Sequence, residues 1–480
     1  MKKYIRHIIL LTLTGVLSFS CDNYLDVEPE DKFLETQVFE TELGVQNVLN
    51  GIYLDMVGNN LYGRQLTMST LELLGQRFTA SSNSHWGYNY VNYSYGEANV
   101  EASFDAIWSS AYVTILKVND LIANMDKYPI LTEEKSDIIL GEAYAIRAML
   151  HFDLLRIFGP VYSVNPENMA IPYVTVAEAK NAPILPASEV LELVRQDLAT
   201  SQELLANDYA RTHKIYIDED DESIDFYTSR RHFRMNYFAV KALEARMELY
   251  AGNSTAAYTA AMDVINEGGQ YFEWTDPADI ISAGGNPDRV FSKELLFAPY
   301  TTKLYESQME LFGSENKANS ILTANPTRLS GVFENNENDY RYNSSWIIPS
   351  TGEITSRTFF KYADVTDNRM DFRFMLPLIK KSEMYYIAAE TAPETEGLML
   401  LNEVRHNRGL VDLEAGVDIL EELSKEYQKE FYGEGQLFFY YKRTNTSRIR
   451  NGSSSSSYSY KTMGEDQYVV PLPDSETNFQ

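Results

Sequence analysis

The chain has 480 residues, enough for a sizeable core and for up to two or three domains. Its 69 acidic side chains against 41 basic ones give a formal net charge of −28, a surface that repels phosphate backbones and argues against nucleic-acid binding. A single cysteine excludes a disulfide framework and any cysteine-based metal site.

The chain starts with Lys2, Lys3 and Arg6, followed by an apolar run from Ile8 to Val16, then Ser18, Ser20 and the lone Cys21. Charged, apolar, small-residue order marks a secretory signal, and the run is too short to span a bilayer, which needs roughly 20 apolar residues. We expect a lipoprotein signal over 1–20, with cleavage before Cys21 and lipid on its thiol. Cleavage elsewhere and a buried free cysteine are the alternatives. Ser18 stands where a strict lipoprotein signal has Leu, and Leu17 lies one place further back. Loss of the signal takes the charge to about −31, that is −28 less three cations.

A polar, Pro-interrupted tether follows. Apolar residues spaced by three and four then predict a helix over 42–56. Residues 57–100 are rich in Gly, Asn, Ser and Tyr and read as a long loop, the kind of segment that tends to carry function. Helical spacing returns over 101–125 and again from Thr132 to a stop at Gly159-Pro160. Pro186-Ala187-Ser188 opens a helix to about position 207. Residues 217–225 form an acidic loop. Over 234–268 two amphipathic helices flank Gly252-Asn253, with Ser254 placed to cap the second. Alanines on both helices suit a close αα-hairpin of tetratricopeptide type, although no copy recurs at a strict 34-residue interval. Residues 269–375 are mixed. A helical pair is expected over 376–389 and 396–407, a further helix over 418–432, a Ser-rich loop at 453–457 and an extended tail. The class is mostly α, with eight to ten helices and few strands.

The 34 tyrosines exceed what a core needs, and aromatic faces suit sugar rings. Residues 81–95, SSNSHWGYNYVNYSY, gather them most densely. Alternation would set Trp86, Tyr88 and Tyr90 on one side of an extended segment, with Asn83, His85, Asn89 and Asn92 for hydroxyls. That is a sugar-stacking platform; the alternative is a loop that packs on itself. Trp346, after Asp339-Tyr340-Arg341, is a further candidate contact, while Arg341 is expected to pair with Asp339 or a carbonyl. Trp108 belongs to a helical core face. Adjacent acids such as Glu133-Glu134, Asp220-Asp221 and Glu421-Glu422 read as solvated faces, since a glycosidase needs two carboxyls facing across roughly 5–9.5 Å. The loop with Asp218, Asp220, Glu222 and Asp225 lacks the glycine and terminal Glu of a calcium loop. The six histidines show no metal spacing, and no phosphate, nucleophile-elbow or dinucleotide motif occurs. No catalytic residue, metal or cofactor is expected.

Seven segments in order resemble the SusD/RagB family of outer-membrane lipoproteins. They are Cys21-Asp22-Asn23-Tyr24-Leu25-Asp26, RAMLHFDLLRIFGPV from Arg147, ALEARMELYAG from Ala242, Asp339-Tyr340-Arg341, LLNEVRHNRGL from Leu400, EFYGEGQLFFYYKR from Glu430, and YVVPLP from Tyr468. His151, Leu437 and Tyr440 depart from the usual pattern, as does the insertion-like His406-Asn407. The resemblance implies one α-helical domain over 21–480, with an N-terminal part to about 230 and a C-terminal part from about 270. It implies four tetratricopeptide-like hairpins under an irregular face, with aromatics of the early loop lining the ligand site. It also implies a surface-exposed, lipid-anchored protein of the outer membrane that is not an enzyme. Such a protein binds oligosaccharides and passes them to a SusC-type TonB-dependent transporter. A peptide ligand attracted by the acidic surface is the alternative.

Overall fold

The computed structural model describes residues 30–178, 181–213, 225–281, 284–352, 354–456 and 458–478. The predicted signal, Cys21 and most of the acidic loop, including Asp218, Asp220 and Glu222, lie outside the described residues.

Ten helices carry the architecture. They are α1 (Glu42–Met56), α2 (Ala98–Lys127), α3 (Glu133–Phe158), α4 (Ala187–Leu204) and α5 (Tyr237–Tyr250). Then follow α6 (Ser254–Asp263), α7 (Lys381–Thr391), α8 (Glu394–His406), α9 (Ile419–Glu430) and α10 (Gln436–Arg443). Each of α1 to α8 packs on the next, so the chain stacks four helix pairs side by side. The class is mostly α, as expected. The strands are short and pair only in two-stranded ladders. A strict repeat interval is absent because long insertions fall inside and between the pairs, over 57–97, 159–186 and 264–380.

Local chemistry accounts for the helix bounds. The Thr41 side chain accepts from the Gly44 amide to cap α1, which buries Val45, Leu49, Ile52, Tyr53 and Met56 on one face. Asp418 does the same for α9. At the turn into α6 the cap is Asn253, not Ser254: its side chain accepts from the Ala256 amide, and Gly252 before it adopts φ +78°, which glycine does at no steric cost. Ala239, Ala242 and Ala245 on α5 and Ala257, Ala260 and Ala261 on α6 are all buried, so the two backbones approach closely.

The segment 57–97 departs from a simple loop. Thr70–Leu74 is a fully buried helical turn, and Leu61, Tyr62, Leu66, Met68 and Phe78 are also inside. Its apolar residues follow a series of tight turns rather than a helix or strand, so no period marks them.

From Glu142 onward the charged residues of α3 are also buried. Arg147 holds Asp197 of α4 through two bonds of 2.7 and 2.6 Å. His151 lies within 3.8 Å of the Tyr173 ring and bridges the Arg147 carbonyl and the Val174 amide. Burial drives its pKa down to about 3, so the ring is neutral. Lys442 of α10 donates to the carbonyls of Arg156, Ile157 and Gly159 and so caps the C-terminus of α3.

A larger ionic hub joins the C-terminal helices. Arg341 meets Asp339, Glu426 and Glu430 at 2.7, 2.9 and 2.9 Å. Arg408 meets Glu294 and Glu430 at 2.6 and 2.8 Å, and Lys380 meets Glu430 and Glu434 at 2.9 and 3.0 Å. Arg405 and Lys429 reach Glu426, Lys429 also reaches Glu334, and Lys361 reaches Glu434. Burial alone would raise the Glu430 carboxyl, but Arg408, Lys380 and Arg341 hold it well below the ordinary range.

Candidate ligand-binding face

The aromatic loop is held at both ends. Thr79 donates its amide to the Thr323 carbonyl at 2.7 Å and its hydroxyl to Gly452, and the Ala80 amide donates to the Ser453 hydroxyl. At the other end the Tyr93 hydroxyl donates to Leu74 and that of Tyr95 to Gln467. The loop is not extended. Tyr88–Val91 is a helical turn, so residues four apart meet: Trp86 and Tyr90 lie edge to face at 5.9 Å.

This geometry divides the sequence candidates. His85 is 6% exposed; its Nδ1 accepts from the Gly87 amide, so Nε2 donates to the Ile321 carbonyl at 3.1 Å. Tyr90 is 4% exposed, with its hydroxyl on the Asn99 carbonyl and Ser103. Both support the loop and offer no open face. Trp346 is corrected to core. It is 1% exposed, and its ring packs at 4.9 Å from Tyr432 and 5.1 Å from Phe359. The strand Trp346–Ile347 pairs with Thr358–Phe359 and turns the indole inward. Arg341 serves the hub, with Asp339 as the expected partner.

Trp86, Tyr88 and Asn83 stay at the surface. Trp86 is half-buried and its indole N–H donates to the Ser320 carbonyl at 2.9 Å, which fixes the ring plane. Tyr88 is half-exposed, and its hydroxyl has no partner among the described residues. Asn83 is exposed. Asn89 is turned to Asn99, and the Asn92 side-chain Oδ1 accepts a 2.7 Å bond from Lys461.

Lys461 belongs to a hairpin that composition alone did not single out. Arg448–Arg450 pairs with Tyr460–Thr462, and residues 453–456 of the Ser-rich stretch lie in the connection between them. The hairpin presents Tyr458, 88% exposed, and Tyr460, which lies under Arg448 and Arg450. The signal was present in the sequence as alternation: Arg448 and Arg450 before the serines, Tyr458 and Tyr460 after them.

Gln76 ties loop and hairpin together. Fully buried at φ +57°, it donates to the Val91 carbonyl and the Tyr93 hydroxyl and accepts from the Gly452 amide. Its own carbonyl takes Arg328 of the short helix Pro326–Val332. On the far side of the hairpin that helix and α9 border a cavity of about 300 Å³. Among the described residues no cluster of His, Cys, Asp or Glu could hold a metal ion, and no helix is long and apolar enough to cross a membrane.

Comparison with known proteins bears on this face. Residues 23–217 match the family model SusD-like_3, described as starch-binding associating with outer membrane. The curated SusD-like protein P38 of Formosa agariphila is 24% identical over 90% of this chain and 88% of its own length. SusD-like protein P25 of the same organism is 23% identical over 64% of this chain; the chain spans about half of that relative's length, 54%. A SusD superfamily protein of Bacteroides thetaiotaomicron superposes with TM-score 0.70 at 21% identity, covering 90% of this chain and 97% of that one. A laminarin-binding SusD-like protein superposes with TM-score 0.65 at 16% identity, covering 91% and 97%. At these identities the structural matches establish the fold.

Proposed function

We propose that the chain is a SusD-like cell-surface lipoprotein that captures oligosaccharides and passes them to a SusC-type TonB-dependent transporter. Cys21 carries the lipid in this reading, and the polar stretch after it is the tether. The observation that supports capture is the fixed presentation of Trp86 and Tyr88 beside Asn83. An indole whose N–H is already bound to Ser320 loses little freedom when a sugar stacks on it. Stacking is neutral, so a charge of −28 does not oppose it. The reading requires binding and release only, with no bond made or broken.

Calorimetry against neutral polysaccharides, laminarin and starch among them, tests this reading. Trp86→Ala should weaken the bound glycan at least tenfold, about 1.4 kcal/mol, in a protein that circular dichroism shows still folded. Wild-type protein that binds no polysaccharide would refute glycan capture. Co-purification of a SusC-type transporter from native outer membranes, lost in Cys21→Ser, tests the partner and the anchor.

A further inference from the structure

The cavity beside the hairpin carries a charge opposite to that of the whole chain. Among its walls are Arg328, Arg450, Lys425 and Glu334. Lys425 is matched by Glu422 at 2.6 Å and Glu334 by Lys429 at 2.5 Å. Arg328 and Arg450 have no carboxylate partner among the described residues. Arg328 spends one nitrogen on the Gln76 carbonyl, and its buried Nε has no partner. Behind it lies Arg77, fully buried, its guanidinium 3.1 Å over the Tyr432 ring and two of its nitrogens without acceptors.

The carboxylate beside Arg77 is weak compensation, and that of Glu334 in the cavity wall is matched by Lys429. Glu72 stands 3.6 Å from Arg77, and burial pushes its pKa up to about 7. Burial likewise lowers Arg328, and the repulsion of Arg77 and Arg450 adds to it. Two uncompensated guanidinium groups at one cavity attract an anion, and their planar forks match the oxygens of a carboxylate or a sulfate. Ser454, Ser456 and Asn451 add hydroxyl and amide donors at the same walls. Gln76 connects these walls to the aromatic loop: its carbonyl takes Arg328, and its side chain bonds Val91 and Gly452.

We propose that this cavity binds the oxyanion of an acidic saccharide, a uronate carboxylate or a sulfate ester. The inference rests on the glycan-binding reading and narrows it to a substrate class.

Calorimetry on the full chain tests it with two matched pairs: oligogalacturonate against its carboxyl-reduced form, and a sulfated galacto-oligosaccharide against its desulfated form. One acidic member should bind at least tenfold tighter than its neutral counterpart, and which pair does so tells carboxylate from sulfate. Arg450→Ala, at an exposed position, should remove that preference and leave the neutral form's affinity unchanged. Raising salt from 50 to 500 mM should weaken only the acidic ligand. Equal affinity within both pairs, or an acidic preference that survives Arg450→Ala, overturns the inference while glycan capture stands. Binding of no saccharide at all, neutral or acidic, overturns both.

Discussion

Two groups of arginines in this molecule are built on opposite plans. In the hub, six cations (Arg341, Arg405, Arg408, Lys361, Lys380 and Lys429) meet six carboxylates (Glu294, Glu334, Asp339, Glu426, Glu430 and Glu434). At the cavity, Arg328 and Arg450 have no carboxylate partner among the described residues, and Arg77 behind them has Glu72 at 3.6 Å, whose own pKa is raised. Both groups lie on or beside α9, so position does not separate them. Charge balance does. A matched buried network is costly to break because each partner would be left charged and unsolvated. An unmatched group gains nothing for the fold from its surplus charge, so its surplus is available to a ligand.

The sharpest way to break this contrast is to unbalance the hub. Glu430→Gln keeps the shape but leaves Arg408, Lys380 and Arg341 one carboxylate short. We expect a loss of about 3–5 kcal/mol in urea unfolding. A loss below about 1 kcal/mol would place the hub among ordinary surface pairs.

Glu72→Gln probes the border between the two groups. Burial raises the Glu72 carboxyl from its ordinary value of 4.5 to about 7, so between those pH values the folded chain holds a proton that the unfolded chain has lost. Wild-type stability therefore falls through this residue as pH rises from about 5 to 7. Gln has no proton to lose. The difference in unfolding free energy should shift toward Glu72→Gln by about 2–3 kcal/mol between pH 5 and pH 8, most of what 1.36 kcal/mol for each unit of raised pKa allows. A difference that does not change with pH would mean that Glu72 is ionised throughout and balances Arg77, and the cavity would then hold less surplus charge.

One pair of the hub, Asp339 with Arg341, was legible in the sequence, and little of the face was. Asp339-Tyr340-Arg341, Arg405 with Arg408, and Glu430 with Glu434 all sit in segments that carry the family resemblance, and the structure turns every one of them into the same network. Helical period located α1 and α3 within a residue, because their apolar faces repeat regularly. The face escaped for physical reasons. Trp86, Tyr88 and Tyr90 alternate in sequence, yet the chain coils at Tyr88–Val91, so alternation misplaced Tyr90. Trp346 looked like a surface aromatic because its neighbours are polar, but it faces Phe78, Phe359 and Tyr432, contributed by distant segments. The cavity cations stand at positions 328, 425 and 450, and no local pattern reports that they meet.

The smallest effect on stability should come from the cavity itself, and it makes the contrast quantitative. Arg450 is exposed, lacks a carboxylate and touches the Tyr460 ring at 5.0 Å. Arg408 is fully buried and makes two short ion pairs. The same change, Arg to Met, removes one guanidinium in each case and keeps most of the apolar stem. Arg450→Met should shift unfolding free energy by less than about 0.5 kcal/mol, as surface substitutions away from special features do. Arg408→Met leaves Glu294 and Glu430 without their main partner and should cost several kcal/mol, on the order of the 3–5 expected for a broken buried pair. If Arg450→Met destabilises as much as Arg408→Met, its charge is structural and the cavity is a second hub with an unseen balance. If Arg450→Met is neutral, the arginine is dispensable to the fold, and the selective loss of acidic-saccharide binding in Arg450→Ala can be read as the loss of a ligand contact.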